Sequence, residues 1–140
     1  MVPDASGSSA SSAVLRDMQS YLVRSSRFDR VDCEPEPSPN SLKCYFDMGY
    51  YSSHLEAVYL DVTWFTNNDF SIHYQEVYTD GEKWNCRWDR HPNTHNDREH
   101  FHPGPDADRS DAVDESYPVD WRDVIEHVLI ETEERMRGFW

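Results

Sequence analysis

The sequence predicts an α+β fold: an antiparallel meander sheet of about five strands, with an N-terminal helix and a C-terminal amphipathic helix packed on one face. Three observations predict it. Apolar residues recur at helical spacing near both ends of the chain, and between those ends the period falls to two. The period-two runs are separated by short clusters of Asn, Asp, Gly, Pro and Ser.

Residues 1–12, "MVPDASGSSASS", are small and polar, and read as a disordered tail ahead of a single domain over 13–140. From Ala13, the residues Val14, Leu15, Met18, Tyr21 and Leu22 lie on one helical face, after serines able to cap the first turn. "VDCEPE" and "LKCYFDM" then flank a "PSPNS" turn, and "AVYLDVTWF", "FSIHYQEVY" and "KWNCRWD" follow, separated by "TNND" and "TDGE". A loop Thr79-Asp80-Gly81, with Gly81 at positive φ, sets Ile72 opposite Trp88, Tyr74 opposite Cys86 and Glu76 opposite Trp84. A loop read as Asn67-Asn68-Asp69 sets Trp64 opposite Ile72 and Val62 opposite Tyr74. Both loops yield one apolar face, which a one-residue slip would destroy. The other face then carries Thr63, His73 and Arg87 in one row, with Asp61, Gln75 and Asn85 in the next. Phe65, Ser71 and Asp89 share the row at the strand end. A long His-rich loop is expected over 90–118. The closing helix shows Trp121, Val124, Ile125, Val128 and Leu129 at i, i+3, i+4, i+7 and i+8, behind Asp120 as N-cap.

Composition bounds what such a domain does. Only 37% of the 140 residues are hydrophobic, but 5 Trp, 8 Tyr and 6 Phe let a modest core form. The net charge is −14, and Lys43 and Lys83 are the only lysines. A surface so rich in Asp and poor in Lys looks like that of a halophilic, salt-adapted protein; an acidic interaction protein is the alternative. In molar salt, where the Debye length is about 3 Å, such a chain can still hold a polyanion through local contacts. Cys33, Cys44 and Cys86 are odd in number and lack C-x-x-C spacing, so neither a disulfide framework nor a thiolate metal site is expected. No apolar run is long enough to span a membrane, and the expected location is cytoplasmic.

The chemistry concentrates in "RWDRHPNTHNDREHFHPGPD". Four of the seven histidines, His91, His95, His100 and His102, stand there beside Arg87, Arg90 and Arg98. Guanidinium forks fit phosphate oxygens, and imidazole exchanges protons near neutral pH. The same histidines with Asp89 offer ligands to zinc or another divalent metal, although their spacing matches no established zinc pattern. "HFH" has the form used by relaxase and transposase nucleases. Their tyrosine is missing from the C-terminal helix, and Pro103-Gly104 argues against a central strand.

The ordered set "CRWDRHPNTH", "REHFHP", an acidic linker and "WRDVIEHVL" resembles the TumE-like toxins of toxin–antitoxin loci, over Ala57 to Leu129. By that resemblance Arg87, Trp88, Asp89, His91, His100 and His102 are signature positions. "HFHPG" stands where the family tends to carry a lysine and more adjacent histidines. The resemblance implies a toxin acting as an endoribonuclease, with RNA as substrate. It also implies a cognate antitoxin, of helix-turn-helix type, as partner. Local chemistry agrees with it. Metal-free cleavage needs a base for the 2′-hydroxyl, an acid for the leaving 5′-oxygen and a cation for the phosphate. His91 with either His100 or His102 is the candidate base–acid pair, Arg87 holds the phosphate, and Asp89 orients an imidazole. Arg90, His73, His95, Arg98 and Phe101 are the candidate substrate-binding residues, Phe101 as a platform for an unpaired base. No cofactor is required in this scheme. The alternative is a non-enzymatic module that binds a metal or a partner through the His-rich loop. An exposed edge strand also makes a homodimer an option.

Overall fold

The computed structural model describes residues 9–91 and 99–138. Helix α1 (Ser12–Leu22) opens the fold, with Ser11 as its N-cap: the Ser11 hydroxyl accepts from the Val14 N–H at 3.2 Å. Among the described residues seven strands follow: β1 (Phe28–Glu34), β2 (Ser41–Phe46), β3 (Leu55–Trp64), β4 (Phe70–Tyr78), β5 (Lys83–Arg90), β6 (Glu99–His102) and β7 (Val113–Asp114). They pair in chain order as one antiparallel meander. Helix α2 (Trp121–Arg137) closes the chain, and the Asp120 side chain accepts from the Arg122 N–H at 2.9 Å.

The α+β class is as the sequence predicts, and the sheet is larger than expected. The added strands β6 and β7 lie within the segment expected to be loop. "HFH" forms most of β6 because Pro103 falls one residue beyond the strand, where its missing N–H removes no ladder bond. Tail residues 1–8 lie outside the described residues. Ser9 and Ala10 already attach to the sheet: the Ser9 carbonyl accepts from Thr66 N at 2.9 Å, and Ala10 bridges Phe65.

Register follows the turns. Gly81 has φ of 90°, the Tyr78 N–H reaches the Glu82 carbonyl at 2.8 Å, and Ile72, Tyr74 and Glu76 face Trp88, Cys86 and Trp84 as expected. The β3–β4 turn differs. Asn68, not Asp69, takes positive φ (68°), and the Phe65 N–H donates to the Asp69 carbonyl at 2.8 Å. The loop is therefore Thr66-Asn67-Asn68. Sliding it by one residue moves the pairing by two, to Val62 opposite Ile72 and Trp64 opposite Phe70. A shift of two keeps each side chain on its face but changes its row.

One face of the sheet is the core. Leu42, Leu60, Val62, Ile72, Tyr74, Val124, Ile125 and Val128 are wholly buried there, together with Leu15 and Met18 of α1. Each such aliphatic contributes about 1.5–3 kcal/mol on burial. The three cysteines are buried and unbridged. One charged pair crosses this core: Glu76, 0% exposed, takes the Arg135 guanidinium at 2.6 and 2.8 Å and the Tyr74 hydroxyl at 2.7 Å. Arg135 also lies over the Trp84 ring, 3.3 Å from its centroid. Removing the cation leaves a buried carboxylate unpaired, so Arg135→Met is expected to lower unfolding free energy by about 2–3 kcal/mol in urea titration. Gly104 sits flat against the Trp84 indole, which a Cβ would overlap. Gly104→Ala is accordingly expected to lower the thermal midpoint by several degrees, about 1–2 kcal/mol.

Candidate functional site

The face away from the helices is polar and half-exposed, and three rows cross it. Arg30, Tyr45, Tyr59, Gln75 and Asn85 form one. Asp32, Lys43, Asp61, His73, Arg87 and His102 form the second, and Thr63, Ser71, Asp89, His100 and Asp114 the third. The expected row of Thr63, His73 and Arg87 is thus corrected to Asp61, His73 and Arg87, a consequence of the β3–β4 turn. Strand β6, lying beside β5, brings His102 opposite Arg87 and His100 opposite Asp89.

Asp89 is the hub. One of its oxygens, Oδ2, is approached by Arg87 Nε at 2.8 Å, His102 Nε2 at 3.0 Å, and both His91 Nε2 and His100 Nε2 at 3.5 Å. The carboxylate is 1% exposed. Burial opposes its ionisation, but contacts from His100, His102 and His91, with the charge of Arg87, outweigh that and hold its carboxyl well below the usual carboxylate range. The four nitrogens differ in access. The Arg87 and His91 side chains are 33% and 36% exposed, whereas those of His100 and His102 are 0% and 2% exposed. Arg87 Nη2 also lies 3.2 Å from His102 Nε2, so one guanidinium spans the carboxylate and an imidazole.

The buried imidazoles are held from behind. The Tyr117 hydroxyl donates to the His100 carbonyl at 2.8 Å, and the rings of His100 and His102 meet edge to face, with centroids 4.8 Å apart. At 3.5 Å from Oδ2 the His100 ring is beyond good hydrogen-bond geometry. Among the described residues neither of its nitrogens, nor His102 Nδ1, has a hydrogen-bond partner. Asp89, His100 and His102 each offer a ligand atom within 4.8 Å of the others, so among the described residues these three could hold a metal ion.

The remaining candidates separate. His73 stands beside Arg87 in its row, with Nε2 2.8 Å from Asn85 Oδ1. Arg90, expected to assist Arg87, points to the other face and is 7% exposed. It donates to the Asn68 carbonyl at 2.8 and 2.9 Å, to the Pro118 carbonyl at 2.7 Å and to Glu99 at 3.1 Å. It stitches the β3–β4 turn to the approach of α2 and is not available to a phosphate. Phe101, expected to stack a base, also turns inward and packs on Trp88 with centroids 5.6 Å apart. Strand alternation places it there once "HFH" is a strand. His95 and Arg98 lie outside the described residues. Tyr117 escaped the sequence reading, since a lone tyrosine in an acidic linker carries no periodic signal.

This arrangement stands within a fold that is recognisable as a whole. The family model described as Toxin TumE matches residues 14–136, which include nearly all of both helices and the entire sheet. The chain belongs to the TumE toxin family. Among curated proteins and solved structures, nothing matches it. The TumE match extends well beyond the Ala57–Leu129 stretch that carries the motif resemblance, and membership in a toxin family implies a cognate antitoxin as partner. No helix among the described residues is long and apolar enough to cross a membrane.

Proposed function

We propose that this TumE-family chain is an endoribonuclease toxin that cleaves RNA at the Arg87–His91 rim of the Asp89 cluster. The observation behind this is the convergence of a guanidinium and three imidazoles on one buried carboxylate, with one cation and one imidazole reaching the surface. His91 removes the 2′-hydroxyl proton. The 2′-oxygen attacks phosphorus, the P–O5′ bond breaks, and the leaving 5′-oxygen takes its proton from water while His91 returns its own to solvent, leaving a 2′,3′-cyclic phosphate and a 5′-hydroxyl. Arg87 faces the charge gathering on the phosphate. Asp89 holds both groups in place; His100 and His102, one of which was expected to supply the acid, are 0% and 2% exposed and in this scheme keep the carboxylate fixed rather than touch substrate. The scheme needs no metal, because Arg87 already occupies the carboxylate and its positive charge disfavours a cation there.

The test is incubation of the purified protein with single-stranded RNA in excess chelator. Cleavage to cyclic-phosphate ends, blocked by a single 2′-deoxy substitution at the scissile position, is the expected result. Cleavage that requires an added divalent ion overturns the metal-free scheme.

The partnerless nitrogens of His100 and His102 favour a second function, a module that binds a metal through Asp89, His100 and His102 without turnover. Stoichiometric zinc retained after dialysis, with no RNA cleavage under any condition, would establish it in place of the enzyme.

A further inference from the structure

The polar sheet face extends well past the Asp89 cluster, and its composition is unlike the rest of the surface. Both lysines of the chain lie on it, Lys43 on β2 and Lys83 on β5, in register with the face that carries Arg30 and Arg87. Glu34, Asp32, Asp61, Asp89 and Asp114 share the face with these four cations, so charge there is close to balanced in a chain of net charge −14. Two half-exposed tyrosines sit among them. Tyr45 and Tyr59 face each other across β2 and β3, with ring centroids 5.7 Å apart and planes 36° apart, and the Arg30 guanidinium lies 4.2 Å from the Tyr45 centroid. Tyr59 is one row and two strands from Arg87, a lateral distance of about 10 Å.

From this we infer that the tyrosine-bearing face is a platform for single-stranded RNA, on which Tyr45 and Tyr59 stack successive bases while Lys43, Lys83 and Arg87 follow the phosphates. This deepens the nuclease function proposed above by naming the form of its substrate and the residues that hold it. A base stacked on an aromatic ring needs an unpaired strand, so the face selects single strands over duplexes. The exposed pairs on the face do not block it. Arg30 and Asp32 are 2.8 Å apart and Lys43 and Glu34 3.9 Å apart, with side chains 33–61% exposed. Pairs this exposed give way to a phosphate at little cost. Asp61, between Lys43 and His73, opposes the strand, although its burial raises its carboxyl pKa and weakens that opposition. A cross-strand tyrosine pair also stabilises a sheet, and the experiment must separate the two roles.

The probe is a fluorescent oligouridylate of about ten nucleotides with 2′-O-methyl riboses, which cannot be cleaved by 2′-oxygen attack. Binding to the full chain is measured at fixed salt beside a duplex of equal length. The single strand is expected to bind more tightly. Tyr45→Ala and Tyr59→Ala are each expected to weaken it about tenfold, and Tyr→Phe at either position to bind as the wild type. Lys83→Glu, a change at an exposed side chain that leaves the tyrosine pair intact, is expected to weaken binding about fivefold. It keeps the test decisive if an alanine variant fails to fold. Equal binding of duplex and single strand, or unchanged affinity in folded Tyr→Ala and Lys83→Glu variants, overturns the platform. Loss of antitoxin binding with RNA affinity intact also overturns it. Because the probe is uncleavable, tyrosine-dependent binding by a protein with no RNase activity would sink the enzyme and leave the platform standing. Cleavage without tyrosine dependence would do the reverse.

Discussion

Replacing His91 by Ala is expected to lower the rate of RNA cleavage by about 10²–10⁴-fold, the usual contribution of a positioned general base, and to leave the fold intact. Position explains both halves. His91 follows the last residue of β5 and is 36% exposed, so its truncation opens no core cavity and costs about 0.5 kcal/mol or less. It is also the imidazole of the Asp89 cluster that solvent reaches. Arg87→Ala is expected to cost about 10²–10³-fold, mostly in kcat, because the guanidinium meets charge that is largest in the transition state. Arg87→Lys should recover part of this, keeping the charge and losing the fork that bridges Asp89 and His102. Single-turnover rates with each variant, beside its circular dichroism spectrum, make the measurement. A folded His91→Ala protein with full activity would falsify the assignment.

How far this site was legible depends on which residue is asked about. Gly81 was readable because one positive-φ position fixes a three-residue hairpin and hence the β4–β5 register. The β3–β4 turn offered Asn67, Asn68 and Asp69, all tolerant of positive φ, and composition could not choose among them. The structure selects Asn68, whose Oδ1 accepts from Trp64 Nε1 at 3.2 Å, a long-side-chain contact that no local pattern reveals. Arg87 and Asp89 fall on the polar face by the same Gly81 hairpin, which the change in the β3–β4 turn does not touch. Arg90 and Phe101 point elsewhere than the sequence suggests because both belong to strands that extend into or lie within the expected loop. Treating 90–118 as loop removed the alternation that turns both of them inward. Tyr45 and Tyr59 were visible as strand residues all along, but in a chain with 8 tyrosines nothing marks two of them as outward until parity is fixed by the buried Cys44 and Leu60.

Asp89→Asn is expected to lower unfolding free energy by about 3 kcal/mol, the cost of taking one partner from a buried charged cluster, and to abolish cleavage with it. The amide is isosteric but cannot offset the Arg87 charge, and with its oxygen kept toward the four nitrogens its NH₂ group takes the buried Oδ1 position, which has no hydrogen-bond partner among the described residues. Arg87→Gln should cost somewhat less, about 2 kcal/mol, since the Asp89 carboxylate is 1% exposed and loses its cation while three imidazoles still face it. The pH dependence has a definite sign. The folded-state carboxyl is held below its unfolded value near 3.9. Its contribution is therefore complete above the unfolded pKa and is lost as pH falls toward the folded one. The stability gap between wild type and Asp89→Asn should thus be full at pH 6–7 and narrow progressively below about pH 4. Urea midpoints of both proteins across that range test it. A gap under about 1 kcal/mol at pH 7, or one that widens in acid, would mean that the carboxylate is not what holds the imidazoles and the guanidinium together. The rim geometry on which His91 and Arg87 depend would then need another source.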